Sequence, residues 1–378
     1  MYMTFIKPKS NSRGNPSIDV FQQFLLGNLI DEEPEKEKPE YSKVTIFKPQ
    51  IELNNFFDAH IKPEWLNIPT PPDWPIEELH QHYHSFTIPK RSGGLRQIDA
   101  PDDELKAYLY RLKDYFERTL KILPHDAAHA YVKERSVVTD LQVHQKNESK
   151  WFLKIDLKDF FPSHNLEYVM KTFEKIYPVG ILMGFVGYTD RLRRALQYAF
   201  LDDKLPQGTP LSPTLTNILM VENDYLIQHT LWNEKNRFVY TRYADDITIS
   251  SPYNFDYEAI QNRIKVIFEE NDSPFTIKEE KTRYGSSSGR NWNLGIMLNK
   301  DNRLTIGHKQ NQRFRAALHN LMRDYTNGIK WSIQDRQILG GQIAWYKSVD
   351  PDYTFQVINR YEEKFNLSLK RILTEPEI

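Results

Sequence analysis

The sequence predicts an α/β chain of the α+β kind, in which antiparallel hairpins alternate with amphipathic helices and a helical segment closes the fold. Three observations carry this expectation. β-rich runs occur in pairs around turn residues, apolar residues recur at helical spacing between them, and the C-terminal segment shows only helical periodicity. At 378 residues, 39% hydrophobic and 27% charged, the chain is long enough for two or three packed modules with a sizeable core.

Residues 1–60 read as an irregular extension, with Asp31–Glu40 as a linker of charge and proline. Pro63–Pro75 is again proline-rich. SFTIPKRSGGLRQIDAP reads as a strand, a tight Gly93–Gly94 turn and a second strand. Leu105, Leu109, Leu112, Phe116 and Leu120 give Asp102–Leu123 the spacing of an amphipathic helix. Trp151–Leu157, WFLKIDL, is a short apolar strand. Helices are expected over Leu166–Tyr177, Thr189–Ala199 and Pro210–Thr230, the last opening after a Gly-Thr-Pro turn. FVYTRYA and ITIS flank Asp245–Asp246 as a hairpin with an acidic turn. Tyr257–Asn271 is helical, Phe275–Tyr284 extended, and Asn293–Ile306 holds a hairpin around Asp301–Asn302. Breaks in the final helices fall at Asn327–Gly328 and Asp350–Pro351.

The chain has no cysteine, which excludes disulfides and thiolate zinc sites and fits a reducing cytoplasm. No apolar stretch has membrane-spanning length, and Met1–Ser10 lacks the apolar core of a signal peptide. Net charge is −1, but it is unevenly spread: Asp31–Glu40 is acidic, whereas Arg303–Lys347 holds eight bases against two acids. Such a basic run suits nucleic-acid phosphates and equally suits a solvated helix face. His80, His82 and His84 alternate as ligands on one side of a strand would, with no fourth ligand nearby.

Acids at strand ends are the most informative feature. Asp156 ends an apolar strand, and Asp245–Asp246 sit between two others, where charge is rare unless compensated. Two Mg²⁺ ions, or Mn²⁺ in their place, would compensate them, since these hard cations take carboxylate oxygens and substrate phosphates. An ordinary Asp-Asp hairpin turn is the competing explanation for YADD alone.

An ordered series decides between them. IPKRSGGLRQIDAP at 88–101, IDLKDFFPS at 155–163, LPQGTPLSPTLTNI at 205–218, RYADDITIS at 242–250, EKTRY at 280–284, NLGIMLN at 293–299 and GGQIAWYKSVDPDY at 340–353 come in the order seen in reverse transcriptases. Over residues 76–370 the chain resembles that family, and most of all its bacterial retron-like and defence-associated members. The resemblance implies a right-hand polymerase fold: an extension over 1–60, fingers over 61–150, a palm with a ferredoxin-like antiparallel sheet over 151–300, and a helical thumb over 301–378. It implies Asp156, Asp245 and Asp246 as catalytic metal ligands. Phe161 becomes the ring that excludes a 2′-hydroxyl, with one of Phe160 and Phe161 belonging to the core, and Asp159 becomes a local cap or ion-pair partner. Gln207 and Gly208 would lie under the nascent base pair, while Lys90 and Arg96, with Arg91 nearby, would bind the triphosphate. Lys281, or Lys278 beside it, would assist pyrophosphate departure. Tyr243 would lie near the primer end. Arg313 and Arg315 belong to the basic segment that would grip template and primer, and Trp331, Trp345 and Tyr346 either stack there or pack in the core. The implied partners are dNTPs, a DNA primer and product, and an RNA template encoded nearby.

Two departures separate the chain from typical retron enzymes. Their Asn-Ala-x-x-His signature falls on Asp140–His144, where only His144 is kept, and their Val-Thr-Gly falls on Asn293-Leu294-Gly295. Both favour the less classified phage-defence reverse transcriptases.

Overall fold

The computed structural model describes residues 61–90, 93–232, 235–287, 295–299 and 301–375. The expectations for 1–60, Arg91 and Asn293–Leu294 lie outside the described residues. Along the chain run β1 (Tyr83–Pro89), β2 (Leu95–Pro101), α1 (Asp103–Asp114), α2 (Val137–Lys146), β3 (Trp151–Asp156), α3 (Leu166–Phe173), α4 (Val179–Leu182) and α5 (Tyr188–Gln197). There follow α6 (Ser212–Leu219), α7 (Val221–Leu231), β4 (Val239–Tyr243), β5 (Asp246–Ser251), α8 (Tyr257–Glu270), β6 (Arg283–Ser286), β7 (Met297–Leu298) and β8 (Leu304–Thr305). The C-terminal helices are α9 (His308–Thr326), α10 (Ile333–Val349), α11 (Pro351–Phe365) and α12 (Leu369–Thr374).

The chain divides into two compact units, the first holding residues 61–123 and Phe161–Met220. Its hairpin β1–β2 is antiparallel, with Ile88 opposite Arg96, and turns through Gly93 and Gly94 at φ of 88° and 80°. Asp102 starts α1 by accepting a hydrogen bond from the Leu105 N–H at 2.9 Å. The predicted stripe of α1 is buried: Leu105, Leu109 and Leu112 are inaccessible, and the last turn passes into a π-helical Tyr115–Thr119. Phe116 packs on Phe173 of α3, and the Tyr108 hydroxyl donates to the Ala195 carbonyl of α5 at 2.8 Å.

The second unit holds Pro124–Phe160 and the chain from Val221 onward. Its four-stranded sheet has the order β4-β5-β3-β6, every pair antiparallel. In chain order that is second, third, first, fourth, the ferredoxin-like arrangement. Strand alternation gives it two faces. One carries Leu153, Ile155, Ile247, Ile249, Tyr240 and Arg242, against α7. The other carries Phe152, Lys154, Asp156, Asp246, Thr248, Ser250, Thr241 and Tyr243. There α2, the β7–β8 hairpin and Val349 close a core of Val137, Val138, Leu141, Phe152, Ile296, Leu298, Leu304 and Ile306. Helices α9 to α12 share their own core around Phe314, Leu318, Leu339, Ile343, Val357 and Ile372.

Four expectations need correction. Pro210–Thr230 is two helices divided at Met220, and a 3-10 turn at Glu279–Lys281 interrupts the extended Phe275–Tyr284. His80 and His82 end a 3-10 helix, so only His84 lies on a strand: His80 meets Asp202, His82 stacks on Trp74, and His84 stacks on Phe86. Helix α2 was not expected; Ser136 and Thr139 cap it reciprocally, a Ser-x-x-Thr version of the capping box.

Candidate active site

Asp156 and Asp246 are directly opposite residues on β3 and β5, and Asp245 occupies the turn before β5. Strand pairing alone therefore brings together acids that are far apart in sequence. Three lysines face them. Lys154, only 8% exposed and on the same sheet face, donates to Asp246 Oδ2 at 2.7 Å. Lys278 Nζ lies 2.9 Å from Asp156 Oδ1, and Lys281 Nζ 3.3 Å from Asp156 Oδ2. The stretch bearing Lys278 is tied down by backbone bonds from Lys278 N–H to the Asp156 carbonyl and from Lys158 N–H to the Thr276 carbonyl, both 2.8 Å.

Burial, and then the Asp246 and Asp156 carboxylates, push the Asp245 carboxyl above the usual range. Burial works to lower the Lys278 ammonium, but the Asp156 carboxylate outweighs it and holds its pKa above the ordinary value. Among the described residues no three His, Asp or Glu side chains already converge as ligands of one ion; Asp156 and Asp246 face ammonium groups. The donor set nonetheless fits a hard divalent cation. It is all oxygen, and Asp245 is a carboxylate whose charge its neighbours disfavour.

Beneath this hairpin, on the α7 face, Arg242 and Asp224 form a fully buried ion pair, joined by the Tyr240 hydroxyl. On the opposite face His144 is sealed from solvent, with one ring nitrogen 2.6 Å from Ser250 Oγ and the other 2.8 Å from Thr241 Oγ1. Burial pulls His144 down to about 3 and pushes Asp140, one helical turn earlier on α2, up to about 7. The histidine is a neutral polar rivet between α2 and the sheet.

The other anticipated residues are distributed as follows. Phe160 is the core member of its pair, 4% exposed and stacked on Phe275, whereas Phe161 is half-buried. Asp159 contributes to the field on Lys278 and takes a positive φ. Lys90 and Arg96 sit on the β1–β2 hairpin of the first unit, Lys90 at the turn and Arg96 on β2. Gln207 and Gly208 dock on the same hairpin: the Asp99 N–H donates to the Gln207 carbonyl at 2.7 Å, and Gly208 lies against Ile98 and Asp99. Tyr243 packs on the core beneath α2, next to the acidic turn. Arg313 is exposed and Arg315 half-buried on α9. Trp331 and Tyr346 pack in the C-terminal core, and Trp345 is exposed. Sequence reasoning missed Lys154, Asp224 and Arg242. The signal was there: a lysine two residues before Asp156 shares its sheet face, and an arginine inside an apolar strand requires a buried partner.

A ferredoxin-like sheet with acids paired at adjacent strand ends is the palm arrangement of right-hand polymerases. A family profile described as "Reverse transcriptase (RNA-dependent DNA polymerase)" matches residues 88–314, more than half the chain. The chain belongs to the reverse transcriptase family and is an RNA-directed DNA polymerase of the bacterial retron-like type. It is 29% identical over 290 residues to the Retron Ec73 reverse transcriptase of Escherichia coli, spanning 73% of this chain and 86% of that one. With the Retron Mx65 reverse transcriptase of Myxococcus xanthus it is 29% identical over 302 residues, spanning 75% of this chain and 65% of that one. Among solved structures it is similar to a telomerase from Candida albicans in complex with a fragment of telomeric RNA. That likeness has a TM-score of 0.44 and 11% identity, over 81% of this chain and 66% of that one.

Proposed function

We propose that the chain extends a DNA 3′ end with dNTPs on an RNA encoded near its own gene, with Asp156, Asp245 and Asp246 as the ligands of two Mg²⁺ ions. The observation that carries this reading is the register of β3 and β5, which sets Asp156 opposite Asp246 with Asp245 at the adjoining turn. Two such ions, when bound, activate the attacking 3′-hydroxyl and stabilise the leaving pyrophosphate. The protein's own part is positioning and charge. Lys278 and Lys281, already drawn to Asp156, supply cations for departing phosphate oxygens. Lys90 and Arg96 meet the triphosphate, Gln207 and Gly208 support the new base pair, and Phe161 bars a 2′-hydroxyl. Tyr243 lies by the primer end. Arg313 and Arg315 hold the duplex by its phosphates, independently of sequence.

In this reading residues 61–150 act as fingers, 151–300 as palm and 301–378 as thumb. Among the described residues no helix is long and apolar enough to cross a membrane; a cytoplasmic site of action and a part in anti-phage defence belong to the proposal. Defence is tested by expressing the gene with its flanking DNA and challenging cells with a broad phage panel; unchanged sensitivity throughout refutes it.

The biochemical test is to purify the protein from cells with its native flanking DNA and sequence all bound nucleic acid, beside an Asp245→Asn/Asp246→Asn control. Complementary DNA that matches one bound RNA and is missing from the control is the expected result. DNA without a matching RNA would mean untemplated synthesis by the same site. Identical RNA and no DNA in both preparations would make the protein an RNA-binding scaffold.

A further inference from the structure

We infer that Arg242 is a positioning residue: anchored on Asp224, it clamps the Ala244 carbonyl and so fixes the acidic turn that carries Asp245. The inference rests on the reading of that turn as the polymerase centre.

The ladder between β4 and β5 ends at Tyr243 opposite Asp246, so Ala244 and Asp245 are the two turn residues that strand pairing does not hold. Each has its carbonyl held from outside. The Asp245 carbonyl accepts the Leu157 N–H at 2.9 Å, and the Ala244 carbonyl accepts Arg242 Nη1 at 3.2 Å. Ala244 needs holding, because its φ of 57° is left-handed, a region that costs residues with a Cβ and persists only where the surroundings over-determine it.

Arg242 is built to supply that constraint. Its Nε donates to Asp224 Oδ1 at 2.8 Å and its Nη2 to Asp224 Oδ2 at 2.7 Å, a bidentate fork that leaves Nη1 aimed at the turn. Tyr240 donates to the same Asp224 Oδ1 at 2.6 Å. The main chain of Arg242 is fixed as well: its N–H donates to the Ala127 carbonyl at 2.7 Å, and its carbonyl accepts the His129 N–H at 2.8 Å. Both members of the pair are inaccessible to solvent, so the clamp is neither screened nor loosened by water. A surface arginine could not hold the turn in this way, and a lysine, with one donor nitrogen, cannot span both Asp224 oxygens and the Ala244 carbonyl.

The competing explanation is a core ion pair that only stabilises the fold. Coupling between Arg242 and Ala244 separates the two, because glycine adopts the left-handed turn without a clamp. Single-nucleotide extension of a DNA primer on an RNA template is measured for the full chain and for R242K, A244G and R242K/A244G. Misplacing a reacting group by about 1 Å costs on the order of 100-fold, so R242K should lower kcat by about 10–100-fold. The KM for dNTP should move by less than about threefold, as expected when the loss falls on the chemical step. Within the A244G background, the same arginine-to-lysine change should cost less than about threefold. Equal losses in both backgrounds, or wild-type kcat in R242K, would overturn the clamp. Mn²⁺ affinity by electron paramagnetic resonance gives a second reading, expected weaker in R242K and restored in the double variant; unchanged affinity in R242K counts against the clamp. A wild-type chain that extends no primer refutes the polymerase reading instead, and the Mn²⁺ comparison still decides the fate of the clamp.

Discussion

Gly208→Ala is the sharpest test of how the Gln207–Gly208 loop is seated on the β1–β2 hairpin. A Cβ at position 208 would lie 2.8 Å from Ile98 Cγ2, 3.0 Å from the Asp99 carbonyl oxygen and 3.3 Å from its carbon. The isoleucine can turn aside, but the Asp99 backbone cannot. It is a ladder residue of β2 whose N–H is bonded to the Gln207 carbonyl, and its carboxylate accepts Ser85 Oγ at 2.7 Å and Gln97 Nε2 at 2.8 Å. Gly208 also has φ of 121°, which an L side chain rarely adopts. A sparsely allowed conformation costs about 1–3 kcal/mol and overpacking about 1–3 kcal/mol more, against a gain of about 0.4–1 kcal/mol from a stiffer unfolded chain. The net loss is about 1–5.5 kcal/mol. At about 2–4 °C per kcal/mol for a large domain, thermal denaturation followed by circular dichroism should show Tm lowered by at least about 2 °C. A variant melting within about 1 °C of wild type would show that the loop stands off the hairpin, and the close approach would have to be abandoned.

Four further outcomes are expected. Asp245→Asn removes a charge that burial and two neighbouring carboxylates disfavour, so its Tm should equal or exceed that of wild type while primer extension falls by about 10²-fold or more; a lower Tm would contradict the electrostatics. Phe160→Ala should cost about 3–5 kcal/mol by urea denaturation, whereas Phe161→Ala, at a half-buried position, should cost less and raise rNTP incorporation. Folding raises the pKa of Asp140 from 3.8 to about 7, so its contribution is full below pH 3.8 and is lost as the pH rises through 7. Asp140→Asn should therefore gain on wild type between pH 4.5 and 8, by at most about 4 kcal/mol. His144, depressed from 6.5 to about 3, contributes the opposite slope, stabilising above pH 6.5 and losing this as the pH falls; its Nε2 lies 3.8 Å from Asp140 Oδ1, so urea midpoints of the two proteins read Asp140 together with its coupling to His144.

Local features of the fold were legible because their causes are local. Asp102 before an apolar stripe, Asp350–Pro351 and Asn327–Gly328 marked helix ends that the structure reproduces, with Asp350 capping α11 and Pro351 opening it. Helix α2 escaped notice because it is short, follows an irregular stretch and opens on an atypical cap. The acidic site was legible as a set of residues, since apolar strands ending in aspartate are conspicuous. Its electrostatic partners were not: Lys154 and Asp246 are 92 residues apart, and only the register of β3 on β5 makes them neighbours. The three-histidine run is misleading because its alternation suits a strand, whereas a 3-10 helix carries the first two.

The outer strands of the four-stranded sheet bear on how the protein behaves in a crowded solution. An open edge is a row of unsatisfied amides that recruits strands from other molecules and seeds aggregation. At β4 the chain itself takes up the N–H and carbonyl of Arg242, where residues 127–129 run alongside it. Among the described residues the β6 edge lasts four residues and begins at the exposed Arg283, which puts a charge at its start. The sheet that carries the acids thus has, at each outer strand, a local feature that works against strand addition, without closing into a barrel.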